Sequence, residues 1–120
     1  MHELAVTESI LEIALRHAEG SKATHITDLY LVVGELASIV DDSVQFYWDF
    51  VSEGTIAAGA TLHFRRVTAQ MQCQNCQHTY APRESLPCPA CGSTHCKVIA
   101  GEEFYLESIE IDQPAVGETS

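Results

Sequence analysis

The sequence predicts an α/β fold with two helices, a small mixed three-stranded sheet and an inserted module held by four cysteines. Two segments repeat apolar residues at helical spacing, and three others show the apolar pattern of strands. Two Cys-x-x-Cys pairs lie between the second and third of these strands. With 120 residues, the chain can form one domain with a small appendage, and its core is too modest for a large enclosed active site.

The first helix is predicted from Leu4 to Ala18, where apolar residues recur on one face and charged residues lie on the other. Glu12 and Arg16 are four residues apart, a spacing at which opposite charges attract each other on a helix. Gly20 is a typical stop. The helix therefore begins almost at the first residue and holds the amino terminus close to folded structure.

The second helix is predicted to begin at Asp41-Asp42-Ser43, because these residue types supply N-cap chemistry. Four residues that follow are spaced as one helical face, namely Val44, Tyr47, Trp48 and Val51. An apolar and aromatic face of this kind is typical of a helix that packs on the core.

The three predicted strands are His25–Gly34, Thr61–Val67 and Glu103–Ile111. The first has few charges and is expected to be covered on both faces, whereas the second alternates apolar and polar residues. In the third strand the apolar phase slips near Glu107 and Ser108, which indicates a bulge. Because the second and third strands flank the cysteine module, we expect them to pair antiparallel, with the module standing off the sheet like an enlarged hairpin tip.

Four cysteines form the clearest motif. Cys73 and Cys76 make one Cys-x-x-Cys knuckle, and Cys88 and Cys91 make a second one after eleven intervening residues. A tight turn brings two sulfurs three residues apart to the same side, so two knuckles can complete a tetrahedral shell of four sulfurs. The pattern predicts a zinc-ribbon-like module with a structural Zn(II), since four thiolates suit a d10 cation without a redox role. The alternatives are a disulfide pair, a redox-active Cys-x-x-Cys and an iron–sulfur cluster.

Three residues near the knuckles could take part in this site. His78 and His95 could replace a cysteine ligand or donate a hydrogen bond to a thiolate. Cys96 is a fifth cysteine, and because a tetrahedral shell is already full, we expect it to be a buried thiol. A closed site of four thiolates leaves no open position for chemistry, so the function is expected elsewhere in the chain.

The first three residues, Met1-His2-Glu3, form a second candidate metal site. The terminal amine, the deprotonated amide nitrogen of His2 and its imidazole Nδ1 close two chelate rings, so three nitrogens fall in one plane. Such a field favours Ni(II) or Cu(II) and disfavours Mg(II) or Ca(II). Glu3 can add a backbone nitrogen or a carboxylate, and Asp41 or Asp42 can supply a further oxygen.

The charge balance excludes one common role of cysteine-rich metal modules. The chain has 17 acidic and 6 basic residues and a net charge of −11, so it lacks the cationic footprint that nucleic-acid binding requires. No apolar run approaches the length of a membrane span, and an acid stands at Glu3, where a signal peptide would be basic. We therefore expect a cytoplasmic protein that binds neither nucleic acid nor membrane. No nucleophile with a partnered histidine indicates an enzyme.

Several short motifs, taken together, are similar to those of the HypA/HybF family of hydrogenase nickel-incorporation proteins. They are Met1-His2-Glu3-Leu4, Gly34-Glu35, Asp41-Asp42-Ser43-Val44, the two knuckles with Cys88-Pro89-Ala90-Cys91-Gly92, Gly101-Glu102-Glu103-Phe104 and Ser108-Ile109-Glu110-Ile111. The resemblance runs in order from Met1 to about Asp112. The knuckle pair is common, but its combination with a terminal Met-His-Glu is not.

The resemblance implies a metallochaperone that carries Ni(II) to the large subunit of [NiFe]-hydrogenase together with the HypB GTPase. In some organisms such a protein also feeds urease maturation, together with the urease maturation proteins. The chain would be a monomer or a homodimer. The alternative function is a zinc-ribbon protein-interaction module without metal transfer.

The resemblance also assigns ligands and domains. The implied nickel ligands are Met1, His2, Glu3 and Asp41, with Asp42 as a rival to Asp41, and the implied zinc ligands are Cys73, Cys76, Cys88 and Cys91. We expect a nickel-binding α/β domain of residues 1–67 and 103–112, a zinc-binding module of residues 68–102 and a flexible tail of residues 113–120.

Overall fold

The computed structural model describes residues 3–113. Within this range the elements are α1 (Glu3–Gly20), β1 (His25–Gly34), α2 (Asp41–Val51), β2 (Thr61–Val67), β3 (Gln70–Cys73), β4 (Thr79–Tyr80), β5 (Cys96–Ala100) and β6 (Phe104–Asp112). The predicted α/β class, with two helices, a mixed three-stranded sheet and an inserted four-cysteine module, is confirmed. Met1, His2 and residues 114–120 of the predicted tail lie outside the described residues.

The helix α1 buries one face and exposes the other. Its buried residues recur every three or four positions, as an amphipathic helix requires; they are Thr7, Ile10, Leu11, Ala14 and Ala18. On the exposed face the predicted pair forms, with Arg16 Nη2 3.3 Å from Glu12 Oε2. The buried face packs against α2, and removing this apolar surface from water is what stabilises the pair of helices.

The helix α2 has the predicted apolar face but also a second aromatic surface. Val44 and Trp48 are fully buried, and Tyr47 and Val51 are half-buried, so the predicted face packs on the core through its first and third members. Phe46 and Phe50, by contrast, are 59% and 62% exposed. The expected N-cap position within Asp41-Asp42-Ser43 is wrong, because the helix already begins at Asp41 and its N-cap is Val40, whose side chain makes no capping hydrogen bond.

The expected pairing of β2 with β6 is wrong, because β1 lies between them in the sheet order β2-β1-β6. The physical reason is the apolar run in β1: Leu29 and the residues from Leu31 to Val33 are all buried, as a central strand requires. Both β2 and β6 expose most of their polar positions, as edge strands can. In β6 the alternation of exposure shifts at Glu107–Ser108, where the sequence indicates a phase slip.

The described chain divides into two units. Unit 1 consists of residues 3–31, 39–65 and 105–113 and contains both helices. Unit 2 consists of residues 32–38 and 66–104 and contains a second sheet of order β4-β3-β5, which the sequence analysis does not predict. Its strands have two to five residues, too few for a readable alternation.

In unit 2 two glycines allow a close backbone approach. A Cβ built on Gly34 would overlap the carbonyl oxygen of Gly101, and Gly101 itself has a φ of +108°. Leu36 N–H donates to the Gly101 carbonyl at 2.7 Å. The segment after β1 is therefore held by backbone contacts that leave no room for a side chain at residue 34.

Candidate metal centre

The two knuckles are built by tight turns that follow Cys73 and Cys88. Cys73 ends β3, and the N–H of Gln77 donates back to the Cys73 carbonyl at 3.0 Å. In the second knuckle the N–H of Gly92 donates to the Cys88 carbonyl at 2.7 Å. Gln77 and Gly92 both have positive φ angles, of 68° and 79°. The two turns therefore repeat one local geometry, which places each pair of sulfurs on one side.

The four predicted sulfurs come together. The Sγ atoms of Cys73, Cys76, Cys88 and Cys91 all lie within 4.8 Å of one another. The Cys73–Cys91 and Cys76–Cys88 sulfur pairs are each 3.5 Å apart. A tetrahedral zinc site with Zn–S bonds of about 2.3 Å has sulfurs about 3.8 Å apart, so the cluster fits Zn(II).

The chemistry of the donors agrees with this geometry. All five cysteines of the chain are free thiols, which rules out the disulfide alternative for the knuckles in this structure. Four thiolates can close the coordination shell of a structural zinc ion, which then braces the module and performs no chemistry. The cluster is thus able to hold zinc, as predicted.

In each knuckle, backbone N–H groups favour the thiolate form of the first cysteine, which is Cys73 or Cys88. The N–H groups of Cys76 and Asn75 point at Cys73 Sγ over 3.5 and 3.3 Å, and they lower the pKa of Cys73 from 9.0 to about 6. Burial raises the pKa of Cys88, but the N–H groups of Cys91 and Ala90 outweigh it, so the pKa of Cys88 is also lowered.

The second cysteine of each knuckle, Cys76 or Cys91, has a raised pKa instead. The N–H of His78 lowers the pKa of Cys76, but the neighbouring Cys88 sulfur and burial outweigh it, so the pKa rises. The N–H of Ser93 likewise lowers the pKa of Cys91, whereas the Cys73 sulfur and burial raise it, with a net rise to about 12. Without a metal, the four sulfurs therefore share their protons unequally, since adjacent thiolates repel each other.

A side chain that no sequence pattern singles out connects the two knuckles. Ser93 Oγ accepts a hydrogen bond from Asn75 Nδ2 at 2.8 Å and another from the N–H of His95 at 3.0 Å. The Ser93 carbonyl accepts from the N–H of Cys88 at 2.8 Å. One serine after the second knuckle thus positions both turns. The only sequence signal is a polar residue in a knuckle loop, which is too common to identify such a contact.

The fifth cysteine, Cys96, lies outside the four-sulfur cluster. Cys96 is half-buried, and its Sγ donates to the Ser93 carbonyl at 3.6 Å. It packs against a small core of Tyr80, Cys73 and Cys88. The contact with Cys96 raises the pKa of Tyr80 to about 12, with burial as the second cause, and the Tyr80 hydroxyl donates to the Leu86 carbonyl at 2.7 Å.

The two histidines of the module contribute through their backbones. The carbonyls of His78 and His95 accept hydrogen bonds from the N–H groups of Cys73 and Gln74, at 2.9 and 2.8 Å. The His78 ring stacks on Tyr80 with a centroid distance of 6.1 Å. Among residues 3–113, the group of side chains placed to hold a metal consists of the four knuckle cysteines and includes neither histidine.

The second candidate site is described only in part, because Met1 and His2 lie outside the described residues. Glu3 begins α1, and its Oε2 accepts a hydrogen bond from the N–H of Val40 at 3.3 Å. The next residue is Asp41, which begins α2 and is half-buried, while Asp42 is exposed. The structure therefore brings Glu3 to the segment that contains both candidate aspartates.

No helix within residues 3–113 combines the length and the apolar character that a membrane span needs.

Comparison with known proteins identifies the family. A family model described as hydrogenase/urease nickel incorporation, metallochaperone, hypA matches residues 1–111. The chain is 44% identical over 113 residues to the hydrogenase maturation factor HypA of Dehalococcoides mccartyi, covering 93% of this chain and 95% of that protein. It is 39% identical over 114 residues to the protein of the same name from Caldanaerobacter subterraneus, covering 93% and 100%.

Solved structures show the same fold. The solution structure of the Ni metallochaperone HypA from Helicobacter pylori has a TM-score of 0.68 at 21% identity, covering 95% of this chain and 100% of that one. A second solution structure of a HypA protein has a TM-score of 0.73 at 23% identity, covering 92% and 96%. With the four-cysteine cluster in place and the family model matched over residues 1–111, this chain belongs to the HypA family of hydrogenase and urease nickel-incorporation metallochaperones.

Proposed function

We propose that this chain binds Ni(II) at its amino terminus and delivers it for the maturation of [NiFe]-hydrogenase. The observation that carries the proposal is the 3.3 Å hydrogen bond from the N–H of Val40 to the carboxylate of Glu3. It places the residue next to Met1-His2 beside the start of α2, where Asp41 lies. Membership of a nickel-incorporation family supports the same function.

The proposed nickel site combines nitrogen and oxygen donors. The terminal amine, the amide nitrogen of His2 and its Nδ1 supply a planar nitrogen field, which suits Ni(II). Glu3 or Asp41 adds a carboxylate that compensates the charge of the ion. A site made from the end of a chain is easily opened, because releasing the ion requires the movement of a few residues only.

The zinc cluster has a different role in this proposal. Its four thiolates leave no exchangeable position, so the zinc ion stays in place and keeps unit 2 folded. The net charge of −11 attracts divalent cations to the whole molecule, but it does not select nickel. Selection comes from the planar nitrogen donors and from the metal available in the cell.

The proposed partners are the HypB GTPase and the large subunit of [NiFe]-hydrogenase, with urease maturation proteins as recipients in some organisms. We propose the cytoplasm as the place of action, since five free thiols suit a reducing compartment. The protein acts as a carrier and not as an enzyme.

Isothermal titration of the zinc-loaded protein with Ni(II) tests the proposal. The variant His2→Ala should lose nickel binding, because it removes the imidazole and with it the six-membered chelate ring. Adding one residue before Met1, or acetylating the terminal amine, should have the same effect. His17→Ala is the matched control, since His17 is an exposed histidine of α1 far along the helix from its start.

If nickel binding is unchanged in His2→Ala and in the blocked protein, the proposed site is wrong. The chain would then be better described as a zinc-ribbon protein-interaction module without metal transfer. If His17→Ala loses nickel as well, the signal reflects general binding of the ion to histidines and does not support a specific site.

A further inference from the structure

The exposed face of α2 carries two aromatic rings that are not buried in the core. Phe46 and Phe50 are 59% and 62% exposed and contact each other edge to face, with ring centroids 5.1 Å apart and planes at 70°. Tyr47 adds a further edge-to-face contact with Phe46 at 5.4 Å. A single exposed apolar side chain is common, but two contiguous phenylalanines are typical of a contact surface.

Acidic residues surround the two rings. Asp42 and Asp49 are four and three positions from Phe46, so they lie on the same side of α2. Glu53 follows in the turn after the helix, three positions beyond Phe50, and all three acids are exposed. The sequence of α2, Asp41–Val51, contains no lysine, arginine or histidine. We call Phe46 and Phe50 with these three acids the aromatic stripe.

The negative charge of the aromatic stripe distinguishes between its possible binding partners. In a symmetric dimer of this chain, two stripes would bring six carboxylates together, and like charges at an interface cost affinity. The phosphates of nucleic acid and the anionic headgroups of a membrane are repelled for the same reason. A protein surface with an apolar pocket and a rim of lysine and arginine complements both the rings and the acids.

We propose that the aromatic stripe is the docking surface for the GTPase partner, which recognises it with an apolar pocket rimmed by basic side chains. This inference rests on the proposed function for the identity of the partner. The stripe shares α2 with Asp41, the aspartate proposed as a nickel ligand, so a protein docked on the helix lies close to the proposed nickel end. Transfer would then need no large movement of the ion.

The test is binding of purified HypB GTPase from the same organism to the zinc-loaded chain, measured by biolayer interferometry. Phe46→Ala/Phe50→Ala should weaken binding by at least about 10-fold, because buried aromatic anchors dominate the affinity of interfaces. Both changes replace exposed residues by the best helix former, so α2 is expected to remain folded. The matched control is Leu86→Ala, which removes an apolar side chain that is 72% exposed in unit 2.

A second pair of variants tests the acidic rim. Asp49→Asn/Glu53→Gln should slow association several-fold and reduce its dependence on salt, with little change in the dissociation rate. Glu8→Gln/Glu19→Gln is the control, since it removes two exposed acids from α1 and changes the net charge by the same amount. Asp42 is kept unchanged because it is a rival nickel ligand.

Three outcomes would overturn the proposal. HypB could bind the Phe46→Ala/Phe50→Ala variant as tightly as the unmodified chain, or it could fail to bind the unmodified chain. Alternatively, the two phenylalanines could prove necessary for a dimer in analytical ultracentrifugation or for binding to anionic vesicles. Nickel titration of the same variants separates this proposal from the proposed function, because loss of HypB binding with nickel binding intact affects the stripe alone.

Discussion

The carboxylate of Glu3 accepts a hydrogen bond from the backbone N–H of Val40, a residue 37 positions along the chain. Val40 precedes α2 and has no side chain that can cap the helix. Glu3 thus plays for α2 the part that a glutamate in the first turn plays for its own helix in a capping box. The contact connects the starts of both helices within unit 1.

Glu3→Ala should therefore destabilise unit 1. The loss of one hydrogen bond to a charged acceptor is expected to lower the free energy of unfolding by about 0.5–1.5 kcal/mol. Urea unfolding followed by circular dichroism measures this difference. Glu8→Ala, which removes an exposed acid of the same helix, should change the free energy of unfolding much less, and equal effects would show that the Val40 contact contributes nothing.

Nickel titration of two neighbouring variants should separate the rival aspartates. Asp41 is half-buried at the first position of α2, next to the residue that Glu3 contacts, whereas Asp42 is exposed. Asp41→Asn should weaken nickel binding by roughly tenfold or more, as changes around metal sites commonly do. Asp42→Asn should leave it nearly unchanged. The reverse order of effects would assign the oxygen ligand to Asp42.

Removal of one knuckle sulfur should release the structural metal. Cys76→Ser leaves three thiolates, and because metal binding and folding are coupled, unit 2 should lose its zinc and become sensitive to proteases. Zinc content can be measured by plasma mass spectrometry. Cys96→Ser is the matched control and should keep about one zinc ion per chain, since Cys96 lies outside the four-sulfur cluster. A Cys76→Ser protein with full zinc content would contradict the assignment.

The unequal pKa values of the sulfurs predict how many protons zinc displaces. In the metal-free protein at pH 7, Cys73, with a pKa of about 6, is already mostly a thiolate. Cys91, with a pKa of about 12, and Cys76, with a raised pKa, are protonated, and Cys88 has a lowered pKa that starts from 9.0. Zinc binding at pH 7 should therefore release fewer than four protons.

The sign of the pH dependence follows from Cys73. As the pH falls through about 6, this thiolate takes up a proton, so the number of protons released on zinc binding should rise to about four and the affinity should fall more steeply. Isothermal titration in buffers of different ionisation enthalpy gives the number directly. Release of four protons per zinc ion already at pH 7 would mean that the metal-free knuckles do not keep their N–H contacts to Cys73.

A methyl group at residue 34 should strongly disturb unit 2. A Cβ at this position would overlap the Gly101 carbonyl oxygen, so Gly34→Ala should lower the free energy of unfolding by about 1–3 kcal/mol or more. Thermal unfolding followed by circular dichroism can measure it. Gly20→Ala is the control, because nothing lies within 4 Å of a Cβ there. If both variants unfold alike, the close approach is not tight in solution.

Sequence patterns predicted the parts of this fold that follow from local periodicity or from metal chemistry. Val44 and Trp48 are buried at helical spacing, and the four knuckle sulfurs form one cluster. In each case the pattern has a direct physical cause: one helical face must leave water, and thiolates at this spacing can share one cation. Neither inference depends on how distant segments pair.

The pairing of strands was not predictable in the same way. Closeness in sequence to the module suggested that β2 and β6 are neighbours, but β1 lies between them. The information was present in the continuous apolar run of β1, which marks a central strand. No sequence pattern indicates the contact of Glu3 with Val40. A backbone N–H can donate this hydrogen bond whatever the side chain of its residue is.

The burial of Trp48 gives this chain an optical reporter of its own. Trp48 is the single tryptophan, it is fully shielded from water, and its Nε1 has no hydrogen-bond partner among the described residues. Its emission should therefore be blue-shifted. Asp41 lies seven residues earlier in the same helix, about 10 Å along its axis, a range in which a bound transition-metal ion can quench fluorescence. Binding of Ni(II) at the proposed site could thus be followed without any label, an advantage because that proposed site requires a free first amine.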